Sequence, residues 1–249
     1  MLEASCSEVG TLGRILVGFS LCVFALSLAA CSSVFGEDPT PTATITPVPP
    51  TPTREVPDLT VFRGFSYPIE GACLPSGDQL MPNAPREYRS GIHEGVDLYG
   101  YDNCASMTVE TPVLAAKDGT VVRIDHEYTP LTQAELDAAN ARIAAGETAA
   151  EDILDLFRGR QVWIDHGKGI VTRYAHLGAV SAEIQEGQQV AAGTIIGTVG
   201  DSGTPESISN PGTETHLHWE VRTGDTFLGA GLPPEEVRAI YEKLFEPVE

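Results

Sequence analysis

The run Thr215-His216-Leu217-His218-Trp219-Glu220-Val221 constrains this chain most tightly. Leu217, Trp219 and Val221 alternate with polar residues, and a period of two is the signature of a half-buried strand. Such a strand turns the apolar set to the core and points His216 and His218 together into a cleft. His93-Glu94-Gly95-Val96-Asp97 adds a second constraint. His93 and Asp97 stand at an even offset, so an extended chain puts them on one face. A helix also brings i and i+4 together, but Gly95 and the run Val96-Asp97-Leu98-Tyr99 favour the extended reading. Tyr174-Ala175-His176 falls between these motifs, on a strand of its own. Four of the six histidines lie in these three motifs.

Two imidazoles and a carboxylate are the ligands that a catalytic Zn²⁺ needs, with a fourth position left open for water. Two more histidines remain to handle protons and charge. A lone His-x-His is more often polar decoration of a surface or core, and His-x-Gly-x-Asp alone is equally weak. Their conjunction in one domain points to a zinc hydrolase. A set of non-catalytic histidines is the alternative. Lone His126 and His166 read as structural or surface residues.

At these residues the chain resembles the lysostaphin-type (LytM-like) zinc metalloendopeptidases, which cut peptide cross-links in bacterial peptidoglycan. The matching stretches are Gly91 to Asp97, Thr172 to Leu177, Glu186 to Gly197 and His216 to Glu220, within roughly residues 65–225. The resemblance implies that His93, Asp97 and His218 bind Zn²⁺ and that His176 and His216 are the catalytic pair. It implies stem or cross-link peptides as partners, and two packed sheets with the cleft across one of them. No motif position is lost, which matters because some relatives lack ligands and act as binding regulators. A non-catalytic envelope-binding or regulatory protein of the same fold is therefore the second reading. A lipoyl- or biotinyl-type carrier module is a distant third. Gly187-x-x-Val190-x-x-Gly193 fits that text, but Lys168 in its Gly-Lys-Gly setting does not.

The 249 residues carry a formal net charge of −20, which argues against nucleic-acid binding, since that usually needs a basic patch. Residues 1–31 read as a lipoprotein signal. Arg14 precedes an apolar run, Ile15 to Ala30, shorter than the ~20 residues of a membrane span. The run ends in Leu28-Ala29-Ala30-Cys31, which looks like a lipobox whose Cys31 would carry the lipid that anchors the protein to the membrane. An uncleaved anchor is the alternative, and either way the rest of the chain is extracytoplasmic. Pro and Thr recur through the linker that follows, within 32–59, a composition that cannot bury a core and tends to polyproline II. Cys6 and Cys22 would leave with the signal. Cys73 and Cys104 remain on either side of the His93/Asp97 motif, and a disulfide is favoured over two free thiols in an oxidising compartment.

From residue 60 to 249 the text is one peptidase-sized domain, mostly β. Val113 to Ile124 reads as a hairpin around Asp118-Gly119, and Gln161 to His176 as a second around Gly167-Lys168-Gly169. Val190 to Gly200 adds short strands. Residues 127–160 interrupt this pattern. Capping boxes at Thr132-x-x-Glu135 and Thr148-x-x-Glu151, with stops at Gly146 and Gly159, predict an inserted helical hairpin. It either walls the cleft or decorates the surface. Pro233-Pro234 opens a carboxy-terminal helix whose apolar set is Val237, Ile240, Tyr241, Leu244 and Phe245. It packs on the β domain or, less simply, binds a partner. The expected fold is an antiparallel two-sheet β domain with an inserted helical hairpin and a carboxy-terminal helix.

Overall fold

The computed structural model describes residues 59–247. The signal segment, Cys31 and nearly all of the Pro/Thr-rich linker lie outside the described residues. A 3-10 turn at Leu59–Phe62 precedes strands β1 (Pro85–Arg86), β2 (Gly91–Ile92), β3 (Val96–Tyr99), β4 (Pro112–Leu114) and β5 (Gly119–Ile124). Helices α1 (Gln133–Ala144) and α2 (Glu151–Arg158) come next. Then follow β6 (Val162–Asp165), β7 (Ile170–Ala175), β8 (Ala179–Val180), β9 (Gln189–Val190) and β10 (Ile195–Thr198). Short α3 (Glu206–Ser209) leads to β11 (His216–Thr223), β12 (Thr226–Phe227) and α4 (Pro234–Leu244). The fold is mostly β and antiparallel. Among the described residues no helix is long and apolar enough to cross a membrane.

Strand β11 organises the larger sheet, with β7 on one side and β3 and β12 on the other. Beyond β7 run β6, β5 and β9. A second sheet has the order β4-β10-β8, and β1 and β2 pair as a small ribbon. Leu217 faces Leu98 across the β11–β3 register, and Trp219 faces Val96 there and Tyr174 in β7. Residues directly opposite on one face touch, so this register builds the core. All five are essentially fully buried. Helix α4 closes the core with its predicted face. Its Tyr241 meets the Trp219 ring edge-on at 6.4 Å, and Phe245, just past its end, lies 6.1 Å away. Val113 and Ile196 of the second sheet join the same cluster.

The second predicted hairpin forms as β6–β7, with left-handed backbone at Gly167, Lys168 and Gly169. The first does not. Strand β4 pairs with β10, whereas β5 pairs with β6 and β9, so the chain changes sheets between them. The linking backbone is claimed elsewhere. The Ala115 N–H donates to the Thr194 carbonyl and the Ala116 N–H to the Tyr174 hydroxyl. The Asp118 carboxylate accepts the Ala192 N–H instead of closing a tight turn. Gly119 serves close strand approach rather than a turn, because a Cβ there would stand 2.5 Å from the Asp165 carbonyl oxygen.

The insertion between β5 and β6 is a helical hairpin. The Thr132 hydroxyl accepts the Glu135 N–H and the Glu135 carboxylate accepts the Thr132 N–H, so the first capping box is present. The second is not. Helix α2 is capped by Ala150, without a side-chain bond. Glu151 instead accepts from Arg158 and Arg173, whose largely buried guanidinium groups need a carboxylate more than a backbone N–H does. Leu136, Ala139 and Ile143 pack against Ile153 and Phe157 in a cluster of their own. Cys73 and Cys104 are joined by a disulfide, with their Cα atoms 5.5 Å apart.

Candidate metal centre and active site

His218 and Asp97 are register partners in β11 and β3, so both side chains leave the same face of the sheet. His218 Nδ1 and Asp97 Oδ1 lie 2.7 Å apart. His93 is not on a strand with Asp97, contrary to the sequence reading. It sits in the bend between β2 and β3, and still brings its Nε2 to 2.9 Å from Asp97 Oδ1 and 3.0 Å from His218 Nδ1. The bend passes close to β11. A Cβ on Gly95 would stand 2.5 Å from the Trp219 carbonyl oxygen, and only glycine fits. His176 also lies off its expected strand. Strand β7 ends at Ala175, and His176 turns left-handed (φ 58°) with its N–H donated to the Arg158 carbonyl. That turn brings its ring to 4.6 Å from the His216 ring and 5.7 Å from the His218 ring. The five predicted residues therefore meet in one place. His126 and His166 stay outside it, hydrogen-bonded to the carbonyls of Ile184 and Asp118.

Hydrogen bonds fix each ring's tautomer. A carbonyl or carboxylate oxygen can only accept, so the imidazole nitrogen facing it carries the proton. His93 Nδ1 donates to the Met81 carbonyl at 3.0 Å, and His218 Nε2 donates to Glu220 at 3.1 Å. His93 Nε2 and His218 Nδ1 are the remaining nitrogens, and both converge on one Asp97 oxygen, where a bound cation would take their lone pairs in place of a proton. Two imidazole lone pairs and a carboxylate oxygen this close repel unless a proton or a metal cation stands among them. The three residues offer ligand atoms grouped closely enough to hold a metal ion. Donors of a tetrahedral zinc site with bonds of about 2.0 Å stand roughly 3.3 Å apart, near the spacing seen here. The donor chemistry therefore fits a divalent ion. Asp97 Oδ2 is held by Arg86 at 2.7 Å, leaving Oδ1 as its free donor. His176 Nδ1 donates to the Ser202 carbonyl at 2.8 Å and His216 Nδ1 to the Glu214 carbonyl at 2.6 Å. Each of these rings keeps Nε2 as its lone-pair nitrogen.

Electrostatics follow the same division. Burial lowers the His93 pKa to about 4 and holds His176 well below the ordinary histidine value. It lowers His216 as well, so these rings are neutral near pH 7. Burial also opposes charge on His218, but hydrogen bonds to Asp97 and Glu220 outweigh it and raise that pKa. Burial would raise Asp97, yet the surrounding imidazoles hold its carboxyl well below the usual range. Glu220 is lowered too, since the Arg158 guanidinium overcomes its desolvation.

The centre floors a cleft of about 480 Å³. Arg86, Tyr88, Tyr99 and Tyr101 line it, together with Leu154 and Phe157 from α2. Sequence reasoning missed the supports: Arg86, Glu220, and the carbonyls of Met81 and Ser202. Glu220 had a legible signal, because it follows His216 and His218 on the same strand face. The carbonyls had none.

The model of peptidase family M23 matches residues 91–229, more than half of the chain. The chain belongs to peptidase family M23. Family M23 is one of metallopeptidase-type hydrolases. No curated protein matches the chain. Among solved structures it is similar to a zinc-containing peptidase from Vibrio cholerae, at 21% identity and a TM-score of 0.42. That alignment covers 69% of this chain and 41% of the other. The catalytic domain of lysostaphin from Staphylococcus simulans aligns at 20% identity and a TM-score of 0.38. There 72% of this chain and 95% of the other are covered. The catalytic domain of a prophage-encoded M23 protein from Enterococcus faecalis gives 20% identity and a TM-score of 0.36, covering 66% and 95%. The chain thus spans less than half the length of the Vibrio protein.

Proposed function

We propose that this protein is a zinc-dependent endopeptidase that hydrolyses peptide cross-links of bacterial peptidoglycan, tethered to the cell envelope by a lipid on Cys31. The convergence of His93, Asp97 and His218 beside His176 and His216, at the floor of one cleft, carries the reading. His93, Asp97 and His218 are the metal ligands. A zinc ion held by them would supply Lewis acidity to a scissile carbonyl and to a water nucleophile. The chain's own residues do the rest. His176 and His216 present neutral Nε2 atoms, which accept the proton of the attacking water and return it to the leaving amine. Once protonated, either ring stabilises negative charge on the carbonyl oxygen. The backbone carbonyls of Ser202 and Glu214 hold both rings in the tautomer this needs. The walls of the cleft set the peptide's position over the centre.

The test is a digest of purified peptidoglycan with mass analysis of the fragments, run with and without chelator. Cleaved cross-links that disappear on chelation are expected. Intact glycan peptides in both arms would replace this reading with a non-catalytic envelope protein. Purified wild-type domain should hold one zinc. His218→Ala and Asp97→Ala should lose it, whereas His216→Ala should keep it and lose activity. Full zinc in the Asp97 variant would overturn the ligand assignment. Intact mass of the mature protein tests the anchor: it should begin at a lipid-modified Cys31, and retention of residues 1–30 would contradict that.

A further inference from the structure

Beneath the metal centre lies an ionic cluster, buried except for its outer member Glu151, that the reaction itself does not use. Arg158, the last residue of α2, sends Nε to Glu220 at 2.7 Å, Nη1 to Glu151 at 2.9 Å and Nη2 to Glu94 at 3.1 Å. Arg222 pairs with both Glu94 and Glu220, and Arg173 pairs with Glu151 and stands 3.6 Å from Glu220. Three guanidinium groups thus balance three carboxylates. Arg158 and Glu220 are the most deeply buried of the six side chains. Glu220 has a second duty, because the oxygen that receives Arg158 Nε also accepts from His218 Nε2. The chain of contacts runs from the insertion helix through Arg158 and Glu220 to a ligand ring. The Arg158 carbonyl also accepts the His176 N–H.

We infer that Arg158 is a positioning residue of the metal centre, through which the helical insertion sets the orientation of His218. The inference rests on the ligand assignment proposed above. Arg222 and Arg173 approach the other oxygen of Glu220, so Arg158 is the cation on the oxygen that faces His218, and a buried carboxylate oxygen that loses its cation turns toward whatever donor is near. With Arg158 in place, Glu220 is neutralised and held, and its oxygen anchors His218 Nε2, which leaves Nδ1 as the nitrogen that faces Asp97 and the metal position. Carboxylates that hold a ligand histidine in this way raise its basicity, and their loss typically costs 10- to 100-fold in metal affinity. The fork of Arg158 bridges three carboxylates from three segments, which a lysine's single ammonium cannot do. The insertion is then part of the centre as well as of the cleft wall.

A double-mutant cycle on zinc affinity tests this, read by competition with a chromophoric chelator on the folded metal-free protein. Arg158→Met should weaken zinc binding by about 10- to 100-fold. Arg158→Lys keeps the buried positive charge, and with it the fold if Arg158→Met fails to fold. It should show a smaller loss in the same direction. In a Glu220→Gln background the amide oxygen can still accept from His218, but position 220 no longer carries a charge for Arg158 to neutralise. There the Arg158→Lys effect should shrink to near nothing. Unchanged affinity in Arg158→Lys, or the same loss with and without Glu220→Gln, would overturn the inference. Wild-type protein that binds no zinc would instead overturn the ligand assignment, so the two failures are distinguishable.

Discussion

At the scale of single residues, the site depends on who stands opposite whom. His218 meets Asp97 because β11 and β3 pair in that register, and a slip of β3 by one residue would turn Asp97 to the core face. Gly95 lets His93 join them. Its missing side chain leaves room for the Trp219 carbonyl oxygen, which a Cβ would approach to 2.5 Å, and for His218 Cε1, which it would approach to 3.0 Å. Backbone cannot yield cheaply, so Gly95→Ala should cost about 1–3 kcal/mol of stability, as overpacking does. It should also displace His218 and weaken zinc binding. Urea unfolding and chelator competition measure the two effects. An alanine variant unchanged in both would show that the bend tolerates a side chain.

At the scale of elements, the insertion is the part whose role the sequence left open between wall and decoration. Leu154 and Phe157 line the cleft, and Phe157 meets the Tyr88 ring edge-on at 5.9 Å. Removing residues 131–159 as a block would also remove Arg158 and disturb the support under His218. A narrower change isolates the wall. Leu154→Ala should cost about 2–3 kcal/mol of stability, keep one zinc per chain, and alter kcat/KM unevenly across a panel of cross-link peptides. A uniform profile across the panel would mean that α2 does not position substrate. Helix α1 contributes differently. Its capping box and its small cluster with α2 hold the hairpin together, and its residues are absent from the cleft lining.

At the scale of the whole molecule, candidate ligands that are distant in sequence must be held by parts that are distant too. Cys73 and Cys104 close a loop with a separation of 31 residues that contains His93 and Asp97. Chain-entropy reasoning puts such a crosslink at about 3–4 kcal/mol. A Cys73→Ser, Cys104→Ser variant should lose stability of that order and release zinc at lower denaturant concentration than wild type. Following unfolding and zinc release together checks this. Equal midpoints for the two proteins would show that the loop is held by its packing alone. The chain carries a net charge of −20, yet among the described residues the buried acids are Asp97 and Glu220, set against buried Arg89, Arg158 and Arg222. The charges buried beneath the site are balanced by pairing, as low dielectric requires.

What the sequence determined by itself was local. Alternation along His216–Thr223 forced a strand with two unlike faces, Gly167-Lys168-Gly169 forced a reversal, and Thr132-x-x-Glu135 forced a helix start, because each depends on neighbours within a few residues. The five candidate residues were legible for the same reason, as histidines and a carboxylate at fixed short offsets. Tertiary structure decided the rest. Val113–Ile124 looked like a hairpin until partners from β9 and β10 claimed its two halves. Thr148-x-x-Glu151 looked like a cap until Arg158 and Arg173 took its carboxylate. His93 and His176 reach the centre from a bend and a left-handed turn, which no periodicity describes. In each case a contact made across the fold outweighed a local preference worth about 1 kcal/mol, and a contact of that range leaves no mark on neighbouring sequence.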